Sequence, residues 1–192
     1  MRLAVANAKG GTGKTTLCAL LVLSLHRARK VVRVRDHDEQ QGLLGWLEHL
    51  AEKGLPLTKD SSGGVIVGEG VPTHEIGDFA PESPAVLAAK VAGWDRVLVP
   101  TRPSPIDVKS AAAFVAALPD PGRALILWNC LDTSNLSHPD ALAAMLRPHG
   151  LRALTAGLKA RAAYRYAQSQ GIDAVGGDAR TELVDVGMEV FA

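Results

Sequence analysis

Residues 9–16 of this 192-residue chain read Lys-Gly-Gly-Thr-Gly-Lys-Thr-Thr, directly after a short apolar run from Arg2 to Asn7. That combination suits one chemistry, the binding of a polyphosphate. Gly10, Gly11 and Gly13 permit a turn tight enough to aim successive backbone N–H groups inward, and they keep side chains out of the anion's path. A helix starting near Lys14 adds the positive end of its dipole. Lys14 is placed to reach the β- and γ-phosphates of ATP and Thr15 to set its hydroxyl on Mg2+, with Thr12 and Thr16 beside them in the cradle. The plain form of the motif has glycine at position 8, where this chain has Ala8, and it lacks the early lysine, Lys9.

A second group of candidates is Asp36-His37-Asp38-Glu39-Gln40. Lys30 to Asp36 alternates apolar and basic residues as a strand does, so Asp36 falls at a carboxyl end, on the sheet edge of the phosphate loop. A carboxylate there can hold Mg2+ through water. A second one two residues on, Asp38, can orient an attacking water, and phosphoryl transfer needs mainly such positioning and charge neutralisation. Asp38 also stands where the N-cap of a following helix would stand.

Positioning these residues takes strands that alternate with helices. Lys14 to Arg29 reads as a helix that is apolar on nearly all faces until Ser24, as suits one packed inside an α/β sandwich. Gln40 to Lys53 is helical, with Leu43, Leu44, Leu47 and Leu50 on one face. Further strands are expected at Val65-Ile66-Val67, Arg96 to Pro100, Arg123 to Trp128 and near Leu151 to Leu154. Helices are expected over Ser83 to Val91, Ile106 to Leu118, Pro139 to Leu146, Ala160 to Gln170 and Thr181 to Phe191. Residues 54–64, 69–82 and 131–138 read as loop or irregular. The pattern predicts an α/β fold, a three-layer sandwich with a mostly parallel central sheet of the P-loop NTPase kind, in a single domain over 1–192.

With Lys9 and the Asp-x-Asp-x-Gln string in place, the chain resembles the ParA/MinD family of deviant Walker A ATPases, closest to short plasmid-partition ParA proteins. In that family the early lysine crosses a dimer interface to the partner's nucleotide, and the resemblance assigns this role to Lys9. It makes Asp36 a metal-shell residue and Asp38 the water-positioning residue, with Glu39 standing where the family usually has proline. Asn129, after a strand, resembles the asparagine that hydrogen-bonds adenine, although a turn residue at a strand end is an equally ordinary use of asparagine. The segment Val97 to Val108 resembles the one that lines the nucleotide and the dimer interface. The family also has a third strand ending in Asp, the Walker B acid. Here Val65-Ile66-Val67 runs into Gly68, with Glu69 as a substitute from the next position. The resemblance implies a weak ATPase that forms an ATP-bound homodimer, binds DNA non-specifically and is stimulated by a ParB-like centromere-binding partner. Gly68 motivates an alternative, a nucleotide switch without hydrolysis. A third reading is a P-loop synthetase of the dethiobiotin or cobyrinate type, against which Lys9 and the Asp-x-Asp-x-Gln string argue.

The net charge of +1 announces no nucleic-acid partner by itself, so such contacts must come from a local patch. Arg27, Arg29, Lys30, Arg33 and Arg35 form one basic group. Arg147, Arg152, Lys159, Arg161 and Arg165 form another, and from it the resemblance makes Lys159, Arg161 and Arg165 candidates for DNA. A solvated face is the plain alternative for either group. The segment 181–192 is acidic and lacks the basic face that binds anionic lipid, so no membrane role is expected. Leu17 to Leu25 is too short to span a bilayer. No leader is evident, and a cytoplasmic, nucleoid-associated protein with reduced Cys18 and Cys130 is the expectation.

Overall fold

The computed structural model describes residues 1–132 and 138–192, so the polar loop expected over 131–138 falls, at 133–137, outside the described residues. The chain runs β1 (Arg2–Val5), α1 (Lys14–Arg27), β2 (Val32–His37), α2 (Gly42–Ala51), β3 (Leu57–Lys59), β4 (Val65–Val67), β5 (His74–Phe79) and α3 (Pro84–Val91). It continues through β6 (Arg96–Thr101), α4 (Pro105–Ala117), β7 (Ala124–Trp128), α5 (Pro139–Leu146), α6 (Ala162–Gln170) and α7 (Gly177–Phe191). The seven strands form one sheet in the order β3-β4-β2-β5-β1-β6-β7. From β2 to β7 all neighbours are parallel, while β4 lies antiparallel on β2 and β3 antiparallel on β4.

Helices cover both faces, because β1, β6 and β7 of the parallel region are largely apolar on both sides. On one face α1, α2, α6 and α7 bury Leu17, Leu21, Leu47, Tyr164 and Leu183 against Leu3, Val34 and Ile76. On the other, α3, α4 and α5 bury Leu87, Phe114 and Leu146 against Ala4, Val97 and Ile126. Each fully buried leucine contributes roughly 1.5–3 kcal/mol. This is the expected three-layer α/β sandwich. Toward the β4 edge the sheet face that carries Arg33 and Arg35 is covered by ion pairs instead of a helix: Arg33 pairs with Asp60, and Arg35 with Glu75. The basic stripe of β2 is therefore neutralised within the sheet.

Three expectations are corrected. Residues 57–59, placed in a loop, form β3, and residues 74–79, placed in an irregular stretch, form β5 at the centre of the sheet. Gly77 within β5 lies beneath Trp94, where a Cβ would come within 2.5 Å of the indole. That indole also meets the Phe79 ring edge-on and lies under the Arg2 guanidinium, 4.7 Å from the ring centre. The strand expected near 151–154 does not form; a lone parallel bridge joins Ala153 to Ile126. Carboxylates of α7 hold the following backbone instead, Glu189 accepting from Thr155 N and Ala156 N, and Glu182 from Lys159 N.

Candidate functional site

Two residues past β1 stands Asn7, whose fully buried amide ties the end of β6 to the loop: Nδ2 donates to Pro100 O (2.9 Å) and Oδ1 accepts from Lys9 N (3.0 Å). The chain then turns through Gly11 and Gly13, both in the left-handed region (φ 71° and 88°), and enters α1 at Lys14. A Cβ at Gly13 would lie 2.5 Å from Asn129 Nδ2. Glycine is thus required there twice, by conformation and by the side chain packed against it. Asn129 follows β7 and donates from Nδ2 to Thr12 O (2.8 Å), while its Oδ1 accepts from Cys130 N (2.9 Å). One amide hydrogen and one lone pair of Asn129 are therefore already committed to holding the loop.

The two lysines of the motif have different destinations. Lys14 is buried and its Nζ donates to Lys9 O (3.1 Å). Burial lowers its pKa, and the Asp78 carboxylate works against that shift. Lys9 reaches away from the loop to the start of α4 and pairs with Asp107 (2.8 Å). Asp107 is only 5% exposed and also accepts from the Ser104 hydroxyl, which caps α4 by accepting from Asp107 N. Burial raises the Asp107 pKa, but its bonds to Lys9 and Ser104 prevail and hold it low.

Beside the loop stand the acids. Asp36 and Asp78 are register partners at the ends of the parallel neighbours β2 and β5. Asp36 Oδ1 accepts from Asp38 N (3.0 Å) and Oδ2 from Leu43 N and Leu44 N (2.9 and 3.3 Å). The anchoring of α2 considered for Asp38 thus belongs to Asp36, while Asp38 closes a tight turn through Gln40 N. Asp78 is 1% exposed, and neither oxygen has a hydrogen-bond partner of good geometry. Burial pushes its pKa up to about 6; Asp36 and Asp38 add to the shift, and the nearby Thr15 hydroxyl and Lys14 ammonium offset part of it. A buried carboxylate without partners is costly, and a cation held through water would satisfy it. Among the described residues no cluster of three or more His, Cys, Asp or Glu forms a protein-only metal cage. The residues fit Mg2+ brought in on a phosphate, with Thr15 and Asp78 at hand.

This corrects the expectation for Gly68. Gly68 follows β4, an antiparallel strand near the sheet edge, and its N–H bonds Pro56 O. It is not at the end of the central strand, and the acid in that place is Asp78. A Gly-rich strand-to-helix loop, a buried lysine and a strand-end carboxylate on a parallel sheet define a P-loop nucleotide-binding protein.

The chain belongs to the CobQ/CobB/MinD/ParA nucleotide-binding domain family, whose model matches residues 3–177. It is 29% identical over 180 residues to a maintenance of carboxysome distribution protein A from Gloeobacter kilaueensis, covering 88% of this chain and 81% of that one. Its fold is that of the MinD cell division protein of Aquifex aeolicus (TM-score 0.73, 14% identity, 99% and 96% of the two chains). It also matches a putative plasmid partition protein of Borrelia burgdorferi B31 bound to AMPPNP (TM-score 0.68, 15% identity, 99% and 97%).

Of the basic candidates, Lys159 and Arg161 both pair with Glu182 (3.1 and 2.6 Å), whose carboxyl their bonds and that of Tyr164 hold at about 2 against burial. Arg161 precedes α6, so it does not share a helical face with the exposed Arg165. Among the described residues no helix is long and apolar enough to cross a membrane. Two site residues escaped sequence reasoning, Asp78 and Asn7.

Proposed function

We propose that the chain is a positioning ATPase that works as an ATP-dependent dimer. Residues 10–16 bind ATP, with Lys14 on its phosphates and Thr15, Asp36 and Asp78 around Mg2+. Asn129 sets the loop and the base beside it. Asp38 orients water for a slow hydrolysis that a partner protein accelerates. The observation that carries the dimer is the separation of the two lysines: Lys14 serves its own loop, while Lys9 stands outside it on Asp107. A cation held on the rim by one carboxylate can exchange that partner for a phosphate on a facing copy.

The track for positioning is non-specific DNA. Arg165 contributes directly, and Lys159 and Arg161 contribute once phosphate competes with Glu182. The partner is a ParB-like centromere-binding protein where the cargo is DNA. A relative named for carboxysome distribution extends the cargo to protein bodies, with a cargo-bound adaptor in the partner's place.

Light scattering in the presence of ATP or ADP tests the dimer. Wild type should double in mass with ATP alone; Lys9→Ala should bind ATP yet stay monomeric, and Lys14→Ala should do neither. A wild-type monomer at saturating Mg-ATP would overturn the proposal.

A further inference from the structure

An open cleft lies away from the phosphate loop, between the β7 edge and α5, with a volume of about 650 Å³. That is within the roughly 300–1,000 Å³ of small-molecule sites. Its floor includes Trp128, and its walls include Leu142, Leu146 and Leu151. Leu142 and Leu151 are only half-buried, so apolar surface that could leave water on binding is still wet. The rim carries two cations. Arg147 begins the short 3-10 turn after α5, and Gly150 (φ 67°) reverses the chain so that Arg152 returns to the same cleft. Among the described residues no acidic side chain lines it and neither arginine has an ion-pair partner.

A cleft with leucines on its walls, Trp128 at its base and two guanidiniums at its mouth selects a definite chemistry. We infer that this cleft is a second ligand site, for a small amphipathic anion: a flat or chain-like apolar body bearing one carboxylate, sulfonate or phosphate. The body displaces water from the half-buried Leu142 and Leu151, against Trp128 and Leu146 that are already dry, and the anionic head takes the two arginines in a forked, charge-assisted contact. The ligand would be felt at the nucleotide site, because Trp128 is followed by Asn129, whose amide holds Thr12 O.

Two dyes of like shape test this on the nucleotide-free protein, so that failure of the ATPase reading leaves the result intact. Anilinonaphthalene sulfonate is the anionic probe and N-phenyl-1-naphthylamine its uncharged analogue. Titration should show one saturable site for the sulfonate. Arg147→Gln with Arg152→Gln should weaken it at least about tenfold, the scale of one lost charge-assisted contact, and leave the uncharged dye within about twofold. Leu142→Glu, at a half-buried position, should weaken both dyes while the circular dichroism spectrum stays that of wild type. Multiple weak sites, equal binding of the two dyes, or a double variant that binds the sulfonate as wild type does would each overturn the inference.

Discussion

The ends of β2 and β5 carry carboxylates one strand apart, in register, in opposite condition. Asp36 accepts three backbone N–H groups and ties down the first turn of α2. Asp78 is more deeply buried, accepts none and is pushed up to about 6. The side chains are identical, and the environment divides the work. Asp36 is a structural anion whose lone pairs are largely spent on the helix that follows it. Asp78 is an anion kept dry and unsatisfied beside Lys14 and Thr15, which destabilises the nucleotide-free protein and favours whatever brings positive charge. Asp78 therefore joins Asp36 in the metal shell proposed above, as its unsatisfied member.

The largest effect should come from removing the satisfied member. Asp36→Ala strips the acceptor from three backbone donors, two at the start of α2 and one in the turn before it, and we expect a loss of about 3 kcal/mol in urea unfolding. Asp36→Asn, which keeps one acceptor oxygen, should lose about half as much. A loss under about 0.5 kcal/mol in the alanine variant would erase the distinction between the two acids.

Removing the unsatisfied member should do the reverse. Because the folded pKa of Asp78 lies above its ordinary value of 3.8, the native state holds this proton more tightly than the unfolded chain. Its contribution therefore declines as pH rises from about 4 to about 6, and the full cost is present at pH 7. Asp78→Asn should be more stable than wild type by about 2 kcal/mol at pH 7 without nucleotide, and equal to it near pH 4. Thermal unfolding of both proteins across that range isolates the group from all others. The same variant should lose the extra stability that Mg2+ adds to the ATP complex, and a wild-type response there would break the assignment.

The smallest structural effect belongs to Asp38, which accepts from Gln40 N in its own turn. Asp38→Ala should stay within about 0.5 kcal/mol of wild type in stability. Its ATP turnover should nevertheless fall at least about tenfold. A variant that unfolds as readily as Asp36→Ala would show the two carboxylates of this loop to be one structural unit.

The phosphate loop was legible because its chemistry is local: three glycines, two lysines and a threonine at fixed spacing between a strand and a helix. The helices were legible for the same reason, each carrying its own apolar period. β5 was not, since His-Glu-Ile-Gly-Asp-Phe does not look like a central strand. Partners far along the chain make it a central strand. Glu75 faces Arg35 from β2, and Gly77 is small because Trp94 covers it. Val65-Ile66-Val67 looked like the missing central strand because it is apolar, yet that composition also suits a strand near an edge. Register between distant segments, not composition, decides which strand ends beside the loop. The same holds for Asn129, whose clasp on Thr12 spans 117 residues.

Trp94 gives the molecule a built-in optical gauge. Its indole lies over Gly77, one residue before Asp78, with a guanidinium above the ring and an aromatic edge beside it. Emission from an indole responds to the field along its long axis, so a cation arriving near the end of β5 should shift its colour without any label. With Trp46 and Trp128 replaced by phenylalanine, that single chromophore would read out, in real time, the arrival and departure of charge at the strand end it covers.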